Sequence, residues 1–265
     1  MTDQTSHKSH IPVRFTNVSF RYHTAPVLHD VNMDFGAGCI HCIVGPNGSG
    51  KSTLAGLLIG MLSPQSGDVQ INGQSLPTIS HHQRSRLVAL TPQRILCPFD
   101  YSVLEFVRMA RHQSWLDMQG VESISGDKVL QQALQTTGVV HLIGRPFNEL
   151  SAGEQQRVAI ARMLAQDTPI TVLDEPTSAL DIEHQLELVA MVQAIRQKGG
   201  CVIWITHDLH MALRTADNIV MLKNGQVVIA GPPEVALADA VLGEVFGVRR
   251  GGLQQPQFEL YSKTN

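Results

Sequence analysis

Charge of either sign is scarce. Asp, Glu, Lys and Arg make up 16% of the 265 residues, and 20 basic against 23 acidic side chains leave a formal net charge of −3. So small an imbalance builds no strong field and argues against a dedicated binder of DNA or RNA, which needs a basic face. Aromatic residues are few at 5%, yet apolar residues reach 43%, too many for a disordered chain and enough for a sizeable core. Long hydrophobic runs are also missing: the longest, Leu54 to Leu62, is nine residues, about half of what a helix needs to cross a bilayer. The polar stretch Met1 to His10 has no apolar segment after a basic one, so it does not read as a secretory signal. The expected location is the cytoplasm, and the length allows one large or two modest domains.

Only four cysteines occur, at 39, 42, 97 and 201, the first pair spaced as C-x-x-C. That spacing admits a redox or zinc reading. Residues 39–44, Cys-Ile-His-Cys-Ile-Val, nevertheless read as one short strand, on which positions three apart face opposite ways. Buried small apolar side chains are the better reading, since free cysteine is commonly buried. Twelve histidines raise a similar metal question. Most, such as His7, His10, His81 and His82, lie in polar surroundings with no partner at ligand spacing, and exposure to solvent is expected for all but one.

Apolar residues alternate with polar ones at Val13, Phe15, Val18, Phe20 and Tyr22, and again at Val31, Met33 and Phe35, the mark of half-buried antiparallel strands. Residues 39–44, 170–173 and 201–206 are instead continuously apolar, which suits a parallel sheet covered on both faces by helices. Asn224-Gly225, between two further apolar stretches, predicts a hairpin bordering that sheet. From about Arg94 to Met163 the strand signal stops; Val103, Phe106, Val107 and Ala110, then Val129, Ala133 and Leu134, have helical spacing. The expected organisation is a loose tail 1–10, a domain 11–248 with its core at 11–93 and 164–248 and a helical insert at 94–163, and a polar tail 249–265 after a break near Gly251-Gly252.

Gly45-Pro46-Asn47-Gly48-Ser49-Gly50-Lys51-Ser52 fits G-x-x-x-x-G-K-[ST] between a buried strand and a helix expected to begin near Thr53. Successive backbone N–H groups in such a loop form a concave anion site, and the following helix adds the positive end of its dipole. Lys51 is expected at the β- and γ-phosphates of a bound triphosphate and the Ser52 hydroxyl on Mg²⁺. The strand Ile170-Thr171-Val172-Leu173 ends in Asp174-Glu175, which the sheet would place beside that loop. Asp174 suits Mg²⁺ and Glu175 suits activation of the attacking water.

Leu150-Ser151-Ala152-Gly153-Glu154, opening a helical stretch, resembles the L-S-x-G-E signature of ABC-type ATPases, although an ordinary Ser helix cap would explain the helix alone. Further landmarks of that family fall in order. Tyr22 resembles the aromatic that stacks on adenine, though any exposed strand tyrosine would look the same. Gln93 matches the glutamine that contacts Mg²⁺ or the attacking water, and Ser178-Ala179-Leu180-Asp181 the loop linking two ATP sites. His207 matches the histidine that bonds the γ-phosphate. The resemblance implies an α/β fold: a P-loop NTPase (RecA-like) core with an antiparallel β subdomain and an inserted α-helical subdomain. It also implies an ATPase with ATP and Mg²⁺ as ligands. Each ATP would lie between the phosphate loop, including Thr53, of one subunit and Ser151, Gly153 and Glu154 of another. One copy of each segment then implies a second ATPase subunit, as a homodimer or with a related chain.

Lacking spans of its own, such a chain would dock on separate membrane permease subunits at the cytoplasmic face, using the groove beside Gln93, with a substrate-binding protein as indirect partner. Leu180-Asp181-Ile182-Glu183-His184-Gln185 resembles the L-D-I-x-H-Q of ATPases that energise uptake of ferric siderophores, haem and cobalamin, and residues 231–235 and 241–248 resemble the same group. Where that group usually shows Gly-Arg-x-Pro, this chain has Ala110-Arg111-His112-Gln113, and Ala152 replaces the commoner Gly. The competing expectation is a soluble, non-transport ABC ATPase such as an iron–sulfur assembly component.

Overall fold

The computed structural model describes residues 12–111 and 127–248. Strands β1 (Val13–Tyr22) and β2 (Ala25–Phe35) form a long antiparallel hairpin, joined by β4 (Ser66–Ile71) and β5 (Gln74–Ser75) in the order β2-β1-β4-β5. Its buried face is stitched by apolar cross-strand pairs, Val13 with Phe35, Phe15 with Met33, Val18 with Val31 and Phe20 with Leu28. The alternation changes phase between Phe15 and Val18 because the register slips there, where Asn17 adopts φ 50°.

The second sheet runs β10-β9-β3-β8-β7-β6. Strands β3 (Cys39–Val44), β6 (Val88–Thr91), β7 (Ile170–Asp174), β8 (Cys201–Ile205) and β9 (Asn218–Lys223) are parallel; β10 (Gln226–Gly231) returns antiparallel through Asn224-Gly225, both at positive φ as a tight primed turn requires. Continuous apolar runs mean that both faces are buried. Ile43, Val172, Ile203 and Ile205 pack with the first sheet and helix α1 (Lys51–Leu58). Their neighbours Cys42, Val44, Leu173, Val202 and Trp204 face a layer that includes α5 (Ala152–Gln166), α6 (Ile182–Gln197), α7 (Leu209–Thr215), α8 (Pro233–Ala236) and α9 (Asp239–Phe246). After α2 (His81–Ser85) and β6, a separate helical core joins α3 (Val103–Arg108), α4 (Lys128–Thr136) and the outer face of α5 through Phe106, Leu130, Leu134, Val158 and Ala161.

Three expectations need correction. Helix α1 starts at Lys51, not near Thr53, because Gly50 takes the cap in left-handed geometry with φ 103° and offers no side-chain cap to mark the boundary. His41 is buried in β3: its Nε2 accepts from the Gly36 N–H at 2.9 Å, and its ring meets Phe35 edge-on at 5.2 Å. All four cysteines are free, but only Cys42 and Cys201 are buried, their thiols pushed up to about 12 by burial, while Cys39 and Cys97 are half-buried. The tails, His7, His10, His112, Gln113 and Gly251-Gly252 lie outside the described residues. Among the described residues no helix is long and apolar enough to cross a membrane.

Candidate functional site

Four parallel strands lie side by side in the order β3-β8-β7-β6, and a sequence-predicted residue or loop follows the C-terminal end of each. Residues 45–50 follow β3, His207 follows β8, Asp174 and Glu175 end β7, and Gln93 follows β6. Register sets them level: Ile43 and Asp174 both pair with Ile205, and Thr91 pairs with Leu173. Ligands of open parallel sheets bind at this edge.

Backbone crowding shapes the loop after β3. A Cβ on Gly45 would lie 2.2 Å from the Leu222 carbonyl oxygen and one on Gly50 2.6 Å from Leu28, so side chains are excluded at both. The loop is clasped from two sides. Gly225 N–H donates to the Ser49 carbonyl at 3.2 Å, and His29 N–H donates to Gly225 at 2.9 Å, tying β2 and the β9–β10 turn to it. Lys51 is buried, its ammonium donating to the carbonyls of Gly45 at 2.8 Å and Pro46 at 3.0 Å. Burial lowers its pKa, while Glu175 and Asp174 oppose that shift.

Asp174 and Glu175 are each only 7% exposed. Burial raises the Asp174 pKa, and the neighbouring Glu175 adds to it; the Ser52 hydroxyl bond and Lys51 act the other way. Asp174 Oδ1 and the Ser49 hydroxyl are buried without a hydrogen-bond partner, an uncommon cost that marks oxygens poised for a ligand. With the Ser52 hydroxyl, Asp174 offers hard oxygen donors of the type Mg²⁺ prefers. Glu175 adopts φ 50°, strained for a non-glycine residue, and is fixed there by its N–H donating to Ile205 at 2.9 Å and its carboxylate 2.8 Å from His207 Nδ1. An ionised carboxylate only accepts, so Nδ1 carries the proton in that bond.

Ser151, Gly153 and Glu154 are placed elsewhere. Ser151 caps α5 in a capping box: Glu154 N–H donates to its hydroxyl at 3.3 Å, and its own N–H and O–H donate to the Glu154 carboxylate, each at 2.8 Å, holding that carboxyl below the usual range. Ala152 is helical and at negative φ, so the missing glycine costs nothing. Gly153 faces the Ala179 carbonyl, 3.1 Å from where its Cβ would sit, which packs this helix start against the loop ending at Asp181. Asp181 caps α6 and its carboxylate binds His184, a bond that keeps it ionised. Among the described residues, no hydrogen bond or ion pair joins 45–53 to 151–154. Tyr22 is 46% exposed, edge-on to Phe20, and Gln93 is exposed.

Two side chains were given no role of their own by the sequence reading, Gln185 although it closes the L-D-I-x-H-Q match. Gln185 Nε2 donates to the carbonyls of Leu180 at 3.1 Å and Thr177 at 3.4 Å, bracing the Asp181 loop; its place one turn after Asp181 was the available signal. Arg162 lies over the Phe106 ring at 4.6 Å, and its interruption of the apolar stripe of α5 was the sign.

Comparison with known proteins decides the family, since the ABC transporter family matches residues 28–178. The chain belongs to that family. It is 36% identical over 245 residues to the hemin import ATP-binding protein of Rhizobium meliloti, covering 89% of this chain and 92% of that protein. The counterpart from Bordetella pertussis is 37% identical over 242 residues, covering 88% and 90%. Among solved structures, an inward-facing transporter described as metal-chelate type matches with TM-score 0.75 and 28% identity over 90% of each chain. A dimeric bacterial ABC transporter cassette matches with TM-score 0.73 and 28% identity, covering 83% of this chain and 98% of that one. This chain is an ABC-type ATPase with a P-loop NTPase fold.

Proposed function

We propose that this ABC ATPase powers import of hemin or a related metal chelate through separate membrane permease subunits, working as a homodimer that holds two ATP molecules. One observation carries the reading: the phosphate loop and the Glu175–His207 pair share one sheet edge, while exposed Ser151 and half-buried Gly153 and Glu154 make no hydrogen bond or ion pair with that loop among the described residues. A ligand gripped by both segments must lie between two chains.

ATP phosphates sit on the N–H groups of residues 48–53, Lys51 exchanging the Gly45 and Pro46 carbonyls for β- and γ-oxygens. Ser52, Asp174 and Gln93 would hold Mg²⁺, which would supply neutralisation of phosphate charge. Glu175 takes a proton from water as the water oxygen bonds to the γ-phosphorus; the bond to the bridging oxygen breaks, giving ADP and phosphate. His207 fixes the Glu175 carboxylate through Nδ1–H. A neutral ring thus donates to Glu175 or to the γ-phosphate, and only the imidazolium serves both. Tyr22 supplies an edge for the adenine. Ser151, Gly153 and Glu154 of the second subunit cover the γ-phosphate, so hydrolysis releases the contact and opens the pair. The Asp181 loop, packed on Gly153, links one site to the other. The permease is met beside Gln93 at the cytoplasmic face, and a binding protein delivers the chelate.

The names of relatives matched over nearly their whole length favour hemin over ferric siderophores as cargo. Disrupting the chain in its host and measuring uptake of hemin, ferric siderophores and cobalamin tests this. Loss of hemin uptake alone is expected. Loss confined to another chelate replaces the cargo. Normal uptake of all three, with a soluble protein co-purifying, supports the competing soluble ATPase.

A further inference from the structure

Strand β1 outruns its partner β4. Their pairing ends at Ser19 with Ser66, where β4 begins, whereas β1 runs on to Tyr22 at the tip of the hairpin. In an extended strand the backbone groups that face one neighbour recur at every second residue, so after Ser19 the next to face β4 belong to Arg21. One side chain takes both. Gln65 Oε1 accepts from the Arg21 N–H at 2.7 Å, and Gln65 Nε2 donates to the Arg21 carbonyl at 3.0 Å. A primary amide carries a donor and an acceptor in one plane, as a peptide group does, and it continues the ladder where β4 has ended. The main chain of Gln65 is held too, its N–H donating to the Ser19 carbonyl at 3.0 Å.

The other end of this segment is fastened to the phosphate site. Helix α1 opens at Lys51, and the turn that follows it closes on Gly56: the N–H groups of Met61 and Leu62 both donate to the Gly56 carbonyl, at 2.9 and 3.1 Å. Leu62 packs over Gly56 so closely that a Cβ there would lie 2.8 Å from its side chain. Residues 59–65 are thus a short strut between the helix after the phosphate loop and Arg21, the residue before Tyr22. The Tyr22 ring is 46% exposed and meets Phe20 edge-on at 4.8 Å. A ring so open to solvent is placed by its backbone more than by packing.

We propose that Gln65 is a positioning residue for the nucleotide base: its amide fixes the backbone at Arg21 and so holds Tyr22 at a set distance from the phosphate loop, where adenine meets it. This rests on the adenine role given to Tyr22 above and adds what keeps that aromatic in place. A strand end that had to be ordered on binding would give back part of the energy of the base contact, and a strut that orders it beforehand avoids the loss.

The test is a double-mutant cycle on the full chain, reading ATP dissociation constants and steady-state ATPase kinetics. Gln65→Met keeps the length of the side chain and removes both bonds. It should weaken ATP binding about three- to ten-fold in the natural chain, the scale of one or two hydrogen bonds. In a Tyr22→Ala background, with no ring left to place, the same change should cost less than about two-fold. The loss should appear in KM, with kcat at saturating ATP kept within about two-fold. Gln65→Glu still accepts from the Arg21 N–H but sets a carboxylate oxygen against the Arg21 carbonyl; it should lose at least as much, and it makes the same comparison if Gln65→Met fails to fold. Equal weakening in both backgrounds, or ATP binding that Gln65→Met leaves unchanged, overturns the positioning role and leaves Tyr22 at the adenine. Unchanged ATP affinity in Tyr22→Ala alone overturns the adenine role and the proposal with it.

Discussion

Glu175 carries three costs at once: a left-handed backbone at φ 50°, 93% burial by its 7% exposure, and a carboxylate fixed to His207 at 2.8 Å. Strain and burial of this kind persist only where the surroundings enforce them. Its position was legible, since an apolar strand ending in two carboxylates after a phosphate loop has few other readings. Its backbone was not, because a non-glycine residue reaches that conformation only when neighbours such as Ile205 demand it. Glu175→Gln keeps the shape and an oxygen that accepts from His207, but cannot take a proton from water. ATP affinity should stay within about two-fold while turnover falls about a hundred-fold or more. Nucleotide titration and phosphate release measure the two quantities, and a normal rate would remove the role given to Glu175.

At the scale of elements, strand type was readable from period alone. β1 and β2 alternate because one face is buried, and β3, β7 and β8 do not because both are. The slip at Asn17 and the start of α1 at Lys51 were hidden, one by a register shift and the other by a cap without a side chain. His41 was misjudged because histidine is polar by residue type, although it sits inside a six-residue apolar strand. Burial depresses its pKa below the ordinary 6.5, so the unfolded chain binds the proton more readily than the folded one. Its contribution is therefore complete above about pH 6.5 and is lost as pH falls below it. His41→Phe keeps the bulk but leaves the Gly36 N–H unpaired. It should cost about 1 kcal/mol at neutral pH and yet lose less stability on acidification. Melting temperatures of both proteins from pH 8 to pH 5 give the answer; identical slopes would contradict the buried neutral ring.

At the scale of the molecule, one sheet edge assembles phosphate loop, carboxylates and histidine, while Ser151 is satisfied within its own capping box and faces outward. The family was readable from the order and spacing of these segments. The partner and the cargo were not, because in the proposed function no residue of this chain needs to touch the chelate and half of each site would belong to another copy. Ser151→Arg should leave ATP affinity of single chains within about two-fold, since the segment lies apart from the phosphate loop, yet block pairing through bulk and charge at the seam. Sedimentation with and without ATP reads both; normal ATP-driven pairing of the variant would contradict a shared site. Most direct is the ATPase rate of the natural chain over a dilution series that crosses its pairing equilibrium. Shared sites require rate per chain to fall toward zero as pairs dissociate, whereas a constant rate per chain, at dilutions where sedimentation shows only single molecules, would mean that one chain is a complete enzyme.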